Sequence, residues 1–263
     1  MPIKISSRNA ATKEYCCNNS TNIKEEDMIE LSDRKTSALM MFRENQVLSS
    51  APWNGGFKEN VGMIANHTVI TDFNCDVDQC RSYITDYVIN PHRMPERSVI
   101  MLTAVPQQNM VYGYCDEYVP IACWVTAGVS NAVSVGDPAR WNERQEAGTV
   151  NAVLLIEAEL DPSALVNAFM LVTEAKVKTF YDLGIKSRES EEIATGTGTD
   201  CIVVASKKVR RDPFRFTGPH TVFGEKIGRM ILGTIKLAIK KNIQSKNNSQ
   251  LTSRSNKREG LPA

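Results

Sequence analysis

Three stretches of this sequence combine residue types that could do chemistry. Thr195-Gly196-Thr197-Gly198-Thr199-Asp200 alternates hydroxyls with glycines and ends in a carboxylate. Such a run packs poorly as core. Its backbone N–H groups could form a nest for phosphate or an oxyanion, with Asp200 as base or ligand. It is not a Walker loop, which ends in Gly-Lys-Ser/Thr and runs from a strand into a helix. Lys176 is the second candidate. At ~100° per residue it shares a helical stripe with Leu165, Phe169, Val172 and Leu183. It therefore projects from the apolar face, either snorkelling to the edge or serving as a desolvated amine or anion anchor. Glu174 projects from the opposite side and is a catalytic candidate only if both helix faces are covered. The third is His220, in Thr217-Gly218-Pro219-His220-Thr221 at the start of a helix. A helix N-terminus disfavours the imidazolium, and a neutral imidazole is what a general base requires. The plainer alternative is a capping histidine.

Other segments place small or polar residues at the ends of apolar runs. Asn54-Gly55-Gly56 follows one such run. Ser130 and Asn131 lie in Thr126-Ala127-Gly128-Val129-Ser130-Asn131-Ala132, and Asp137 in Gly136-Asp137-Pro138. Thr149 and Asn151 lie in Gly148-Thr149-Val150-Asn151. Loop ends of this kind can present N–H and side-chain groups to a ligand. The polar loop 139–147 with Trp141 could cover one.

The elements that must position these residues are readable. Segments 45–50, 61–70, 98–105, 110–115, 119–128, 149–157 and 201–205 are rich in Val, Ile, Tyr and Thr and are bounded by turn residues, as strands are. A long helix is predicted from Asp161-Pro162, with proline at its first position, to the glycine stop at Gly184. A second follows Gly218-Pro219 to about Asn242, and a third covers 76–89. The expectation is α+β or layered α/β. It is a single domain with a mostly β first part and two long C-terminal helices against the sheet. Residues 1–28 read as a flexible extension that adds nothing to the core, 29–242 as the domain, and 243–263 as a disordered tail.

Composition narrows the partners. Lys+Arg is 31 and Asp+Glu 30, so no charge excess points to nucleic acid. No apolar run approaches the ~20 residues of a membrane helix. The 7 cysteines are scattered, with no Cys-x-x-Cys pair, which reads as cytoplasmic thiols rather than a disulfide framework or zinc site. The 3 histidines, His67, His92 and His220, are too few for a His-rich metal centre.

Taken in order, Trp53-Asn54-Gly55-Gly56, the segments 126–132, 136–138, 148–151, 173–185 (TEAKVKTFYDLGI) and 194–200 (ATGTGTD), and GPHTVFGEKIGR at 218–229 resemble the adenosylcobinamide amidohydrolase family of corrinoid salvage. The agreement spans most of 45–241, with 75–118 fitting loosely. The resemblance implies hydrolysis of the amide joining aminopropanol to the corrin ring of adenosylcobinamide. It implies a small-molecule corrinoid partner and no enzyme cofactor, the cobalt belonging to the substrate.

Amide hydrolysis needs an activated water, oxyanion stabilisation and a proton for the leaving amine. The expected mechanism is direct water attack, with His220 or Asp200 as base. N–H groups of 196–199, or Lys176, would hold the oxyanion. Thr199 as an internal nucleophile is the rival. A strand-end substrate site would use Asn54, Gly55, Gly56, Ser130, Asn131, Asp137, Thr149, Asn151, Thr195, Gly196, Thr197, Gly198, Thr199 and Thr221. A non-catalytic corrinoid- or nucleotide-binding protein, or a phosphate-binding enzyme, would use the same loops.

Overall fold

Alternation of apolar residues on both faces of the central strands forces a layered structure. In β9 (Ile121–Ala127), Ile121, Cys123, Val125 and Ala127 face one core while Ala122 and Trp124 face another. The same split occurs in β11 (Val150–Ile156) and β13 (Cys201–Lys207). Strands buried on both faces need a layer on each side. The computed structural model describes residues 3–7, 23–41, 44–69, 77–138, 148–208 and 212–258.

The larger sheet has seven strands. In spatial order they are β1 (Lys4–Ser7), β8 (Val111–Cys115), β9, β11, β13, β4 (Asn45–Ser49) and β5 (Gly56–Glu59). Only β11 and β13 pair in parallel. The helix α3 (Pro162–Asp182) joins them as a crossover. It packs with α4 (Val222–Arg258) on one face of this sheet. The opposite face is covered by a four-stranded sheet ordered β2 (Met28–Glu30), β3 (Thr36–Met40), β6 (Met63–Thr68), β7 (Ser98–Thr103). Here β6 and β7 are the parallel pair. They are joined by α1 (Val77–Ile84), a π-helical turn at Thr85–Ile89 and the short α2 (Asn90–His92). Ile84 and Val88 seal the outer face of the second sheet. The layers run helix, sheet, sheet, helix. A two-stranded ribbon, β10 (Ala132–Val133) with β12 (Gly196–Thr197), lies outside both sheets.

The mixed α+β architecture and both long helices agree with the sequence reading. Gly184 ends the α3 region with φ +63, the left-handed conformation that favours glycine. Four expectations need correction. The first 28 residues are not inert. β1 extends the large sheet, with Ile5 against Gly233 of α4. Ile23 is buried, and residues 23–25 supply carbonyls to the Tyr112 hydroxyl at 3.0 Å and the Trp124 indole at 3.4 Å. Buried aromatic polar tips need such acceptors. The expected tail from 243 continues α4 to Arg258, since no Gly or Pro interrupts it before Gly260. Gly56, expected in a ligand-presenting loop end, opens an edge strand. Cys80 is disulfide-bonded, whereas Cys115, Cys123 and Cys201 are buried free thiols. Among the described residues no helix is long and apolar enough to cross a membrane.

Candidate active site

Strand direction decides what meets. Because β11 and β13 are parallel, both begin at the same end of the large sheet, and antiparallel β9 finishes there. Segments 126–133, 148–151 and 195–201 therefore converge. The helix α3 starts at the far end and returns, bringing Lys176 to the same place. Lys176 Nζ lies 2.5 Å from Asp200 Oδ2, with side chains 13% and 9% exposed. The apolar-stripe reading of Lys176 thus ends in a buried ion pair, not in a snorkelling side chain.

Asp200 is fully occupied. Its Oδ2 also accepts the Thr197 N–H at 2.9 Å. Its Oδ1 accepts the Val150 N–H at 2.9 Å and the Thr197 hydroxyl at 2.5 Å. A carboxylate holding four donors has no lone pair directed at a water. In this arrangement Asp200 ties β12, β11 and α3 together rather than facing an open space. Gly196 makes this possible, since a Cβ there would stand 2.4 Å from Asp200 Oδ2 and 2.6 Å from Lys176 Nζ.

Around the pair, Thr199 Oγ1 is 2.7 Å from Thr149 Oγ1 and 3.3 Å from the Gly148 carbonyl. No basic side chain accompanies it among these contacts. The N–H groups of Gly198 and Thr199 make no hydrogen bond to the described residues. The neighbouring loop is braced internally. Asp137 Oδ2 accepts the Ser187 hydroxyl at 2.5 Å and the Ser134 N–H at 2.6 Å, and these bonds hold its carboxyl below the usual range. Thr195 Oγ1 accepts the Val135 N–H at 2.9 Å. Ser130 meets Arg188 through its carbonyl at 2.8 Å and Lys246 through its hydroxyl. Asn131 is buried against Gly148, its Oδ1 without a hydrogen-bond partner among the described residues. The loop 139–147 with Trp141 lies outside the described residues.

The other predicted residues do not join this cradle. Asn54 donates to the carbonyls of Glu96 at 3.2 Å and Ser98 at 2.9 Å, so its loop stitches the two sheets together. Gly55 approaches the Ala51 backbone where a Cβ would stand 2.4 Å from its oxygen, and Gly56 has φ +83. Glu174 is exposed on the outer side of α3, beside Thr173, Val177, Lys178 and Tyr181. Asn151 belongs to a buried seam between the sheets. Its Nδ2 donates to Asn66 Oδ1 and the Leu102 carbonyl, both at 2.8 Å, and Asn66 donates to Thr126 Oγ1 at 3.0 Å.

His220 is displaced furthest. It is exposed in the turn before α4, near the start of α3, where Thr217 Oγ1 donates to the Ala164 carbonyl at 2.8 Å. Only the other end of α4 reaches the cradle, through Lys246. From Val222 to Asn242 the helix climbs roughly 30 Å at ~1.5 Å per residue. Thr221 is a helix cap: its hydroxyl accepts the Gly224 N–H at 2.8 Å. The chain leaves β13 at the far end of the sheet, so α4 must begin there. His220→Ala is accordingly expected to retain wild-type turnover and stability within ±0.5 kcal/mol. A hundredfold loss of turnover would return His220 to the site.

Sequence reasoning missed a second cluster, on the outer face of the small sheet. Asp33 Oδ2 accepts the Thr36 hydroxyl at 2.7 Å and His92 Nε2–H at 3.0 Å. Thr36 Oγ1 lies 2.8 Å from His67 Nδ1, and His67 Nε2 lies 3.1 Å from the Tyr83 hydroxyl. The available signal was Asn66-His67 inside a strand: alternation puts Asn66 and His67 on opposite faces, so one of two polar residues had to face each buried layer. Burial presses the His67 imidazole down to about 4; Asp33 opposes this, while Lys35 and His92 add to it. Burial works to raise Asp33, but hydrogen bonds from Thr36, the Lys35 N–H and His92 hold it at about 2.

The sign of the pH dependence follows. Unfolded chain takes up the His67 proton near pH ~6.5, the folded protein only near 4. Stability is therefore complete above ~6.5 and falls as pH drops toward 4, by about 3 kcal/mol in all. Urea unfolding at stepped pH is expected to show this slope, and His67→Gln to flatten it. An unchanged slope in the variant would assign the dependence to other groups.

A model of the adenosylcobinamide amidohydrolase family matches residues 20–247. An uncharacterised protein of Methanocaldococcus jannaschii is 30% identical over 221 residues, covering 76% of this chain and 84% of that protein. Adenosylcobinamide amidohydrolases of Methanosarcina mazei and Halobacterium salinarum are also similar. The first is 31% identical over 150 residues, 54% of this chain and 66% of that protein. The second is 27% identical over 207 residues, 75% and 80% respectively. A match that takes in both sheets but β1, the whole cradle, α3 and α4 as far as residue 247 leaves one assignment: this chain belongs to the adenosylcobinamide amidohydrolase family.

Proposed function

We propose that this protein hydrolyses the amide bond of adenosylcobinamide, releasing adenosylcobyric acid and aminopropanol, as a step in corrinoid salvage. The observation that carries this reading is the family match over residues 20–247. The convergence of three of its sequence segments on one end of the large sheet supports it. The substrate is a small-molecule corrinoid whose cobalt is cargo, and the enzyme uses no cofactor of its own. The N–H groups of Gly198 and Thr199, beside the Thr149 hydroxyl, hold an acceptor oxygen of the substrate. Lys176 and Asp200 keep that loop rigid, so its donors need not reorganise when substrate arrives. Among the described residues, Asp200 has its lone pairs taken and His220 is remote, so neither supplies the acid–base group in this reading.

The test is mass spectrometry of purified protein with adenosylcobinamide, with and without a chelator. Adenosylcobyric acid and aminopropanol are expected in equal amounts in both arms. Retained binding without product would replace the hydrolase with a corrinoid-binding protein. Chelator-sensitive product would require a metal in the site.

A further inference from the structure

We infer that Asn131 receives the N–H of the scissile amide while the Gly198 and Thr199 N–H groups hold its oxygen. This rests on the hydrolase reading above. Asn131 is 6% exposed, and its Oδ1 is buried with no hydrogen-bond partner among the described residues. A buried acceptor left unpaired is destabilising, and native proteins keep few of them. A donor that arrives only with the substrate accounts for this one.

The backbone on both sides of Asn131 is fixed. The Ser130 carbonyl accepts from Arg188 at 2.8 Å, and the Ser130 hydroxyl meets Lys246 Nζ. The Ala132 carbonyl accepts the Arg188 N–H at 2.9 Å, and the Ala132 N–H donates to the Val129 carbonyl at 3.2 Å. The side chain is thus anchored at its root while its oxygen stays unpaired. Torsion about χ2 is soft in an amide side chain, so the oxygen can turn toward an arriving N–H while the backbone stays pinned.

Two contacts bring that oxygen to the cradle. Ala132 pairs with Thr197 in the ribbon of β10 and β12. Asn131 precedes the first and Gly198 follows the second, so they flank the end at which the ribbon opens. From the other side, a Cβ on Gly148 would stand 2.5 Å from Asn131 Oδ1, and the Gly148 carbonyl accepts the Thr199 hydroxyl at 3.3 Å. Asn131 and Thr199 therefore meet at the same glycine. Gly198 and Thr199 are both exposed, and their N–H groups make no hydrogen bond to the described residues.

A secondary amide fits this set of atoms. It has one oxygen that accepts and one N–H that donates, carried on opposite edges of a planar trans unit. It needs donors along one edge and a single acceptor along the other. The backbone of 198–199 supplies the donors and Asn131 Oδ1 the acceptor. An ester in its place would leave Oδ1 unpaired, with a second acceptor against it. A site built to bond a substrate N–H rejects the analogue that lacks it. Asn131 is in this sense a specificity residue: it selects an amide and orients it, and moves no proton itself.

The experiment compares adenosylcobinamide with its ester analogue, in which oxygen replaces the amide N–H. Both are given to full-length wild type, Asn131→Ala and Asn131→Leu. The quantity read is the ratio of kcat/KM for the amide to kcat/KM for the ester. The folded fraction cancels within each ratio, and the intrinsic reactivity of the ester cancels between enzymes. Loss of the acceptor is expected to lower the ratio roughly 10-fold or more in both variants, through poorer use of the amide. A ratio unchanged in either variant, or loss of both activities together, would make Asn131 structural and overturn the assignment, leaving the hydrolase standing. No adenosylcobyric acid from folded wild-type protein would remove both.

Discussion

Asp200→Ala is expected to lower the melting temperature by roughly 10 °C. Removing one partner of a buried, hydrogen-bonded ion pair costs about 3–5 kcal/mol, and a domain of this size shifts by ~2–4 °C per kcal/mol. The loss is large here because three donors are stranded together. The Lys176 ammonium loses the carboxylate that stands 2.5 Å from it. The Val150 and Thr197 N–H groups lose acceptors that water cannot easily replace. Lys176→Met should cost less, since Asp200 keeps three of its four hydrogen bonds. The double variant should lose less than the two single losses summed, because the same interaction is removed twice. Thermal and urea unfolding of the four proteins checks this. If Asp200→Asn instead kept full stability and lost only kcat, Asp200 would be a base and not a brace.

Gly196→Ala is the second large effect, and it arises without touching a charge. The added Cβ would overlap the Asp200 carboxylate at 2.4 Å and the Lys176 amine at 2.6 Å. The lysine end could swing away, but the carboxylate is pinned by backbone donors on two strands. Overpacking alone costs about 1–3 kcal/mol. Displacing the ion pair adds to it, so about 3 kcal/mol is expected from urea denaturation. In a Lys176→Ala background the penalty should shrink but not vanish, because the amine is gone while the Asp200 carboxylate still stands 2.4 Å from the added carbon. Gly136→Ala serves as contrast: φ there is +95 with nothing near the added carbon, so backbone strain acts alone. Gly196→Ala as stable as wild type would mean that the pair does not depend on this close approach.

Much of the fold was legible because its signals are local. The strands near 45–50, 98–105, 119–128, 149–157 and 201–205 announced themselves by β-branched residues between turn residues. Helix α3 was bounded correctly by Pro162 and Gly184. The segments that escaped were those whose conformation is imposed from outside. β1 and β3 carry Ser, Lys and Ala of weak strand preference, and they are strands because a neighbour pairs with them. Trp53-Asn54-Gly55-Gly56 looked like a ligand loop because its residue types suit one. It is a splice between sheets, since β7 offers the Asn54 amide two carbonyls.

The candidate site divides along the same line. Placing Lys176 on the apolar face of α3 followed from ~100° periodicity and held. The residue types of 195–200 suggested a nest for an anion, and the structure shows there a turn in which Gly196 abuts Asp200 and Lys176. Neither could say that the Lys176 amine and the Asp200 carboxylate would occupy each other. Periodicity places a residue on a face, while the partner on the opposing element depends on strand order and direction.

By itself, then, the sequence determined the family, the long elements and the face each residue would present, because these depend on neighbours within a few turns of chain. Tertiary structure decided which chemistry-bearing residues meet. Parallel pairing of β11 with β13 brought Gly148, Thr199 and Asp200 to one sheet end. The return of α3 supplied Lys176, and the far-end start of α4 carried His220 away. Burial between the small sheet and α1 turned His67, one of three histidines, into the partner of Asp33, Thr36 and Tyr83. Hydrogen bonds between residues 16 to 50 positions apart are set by closure of the whole chain.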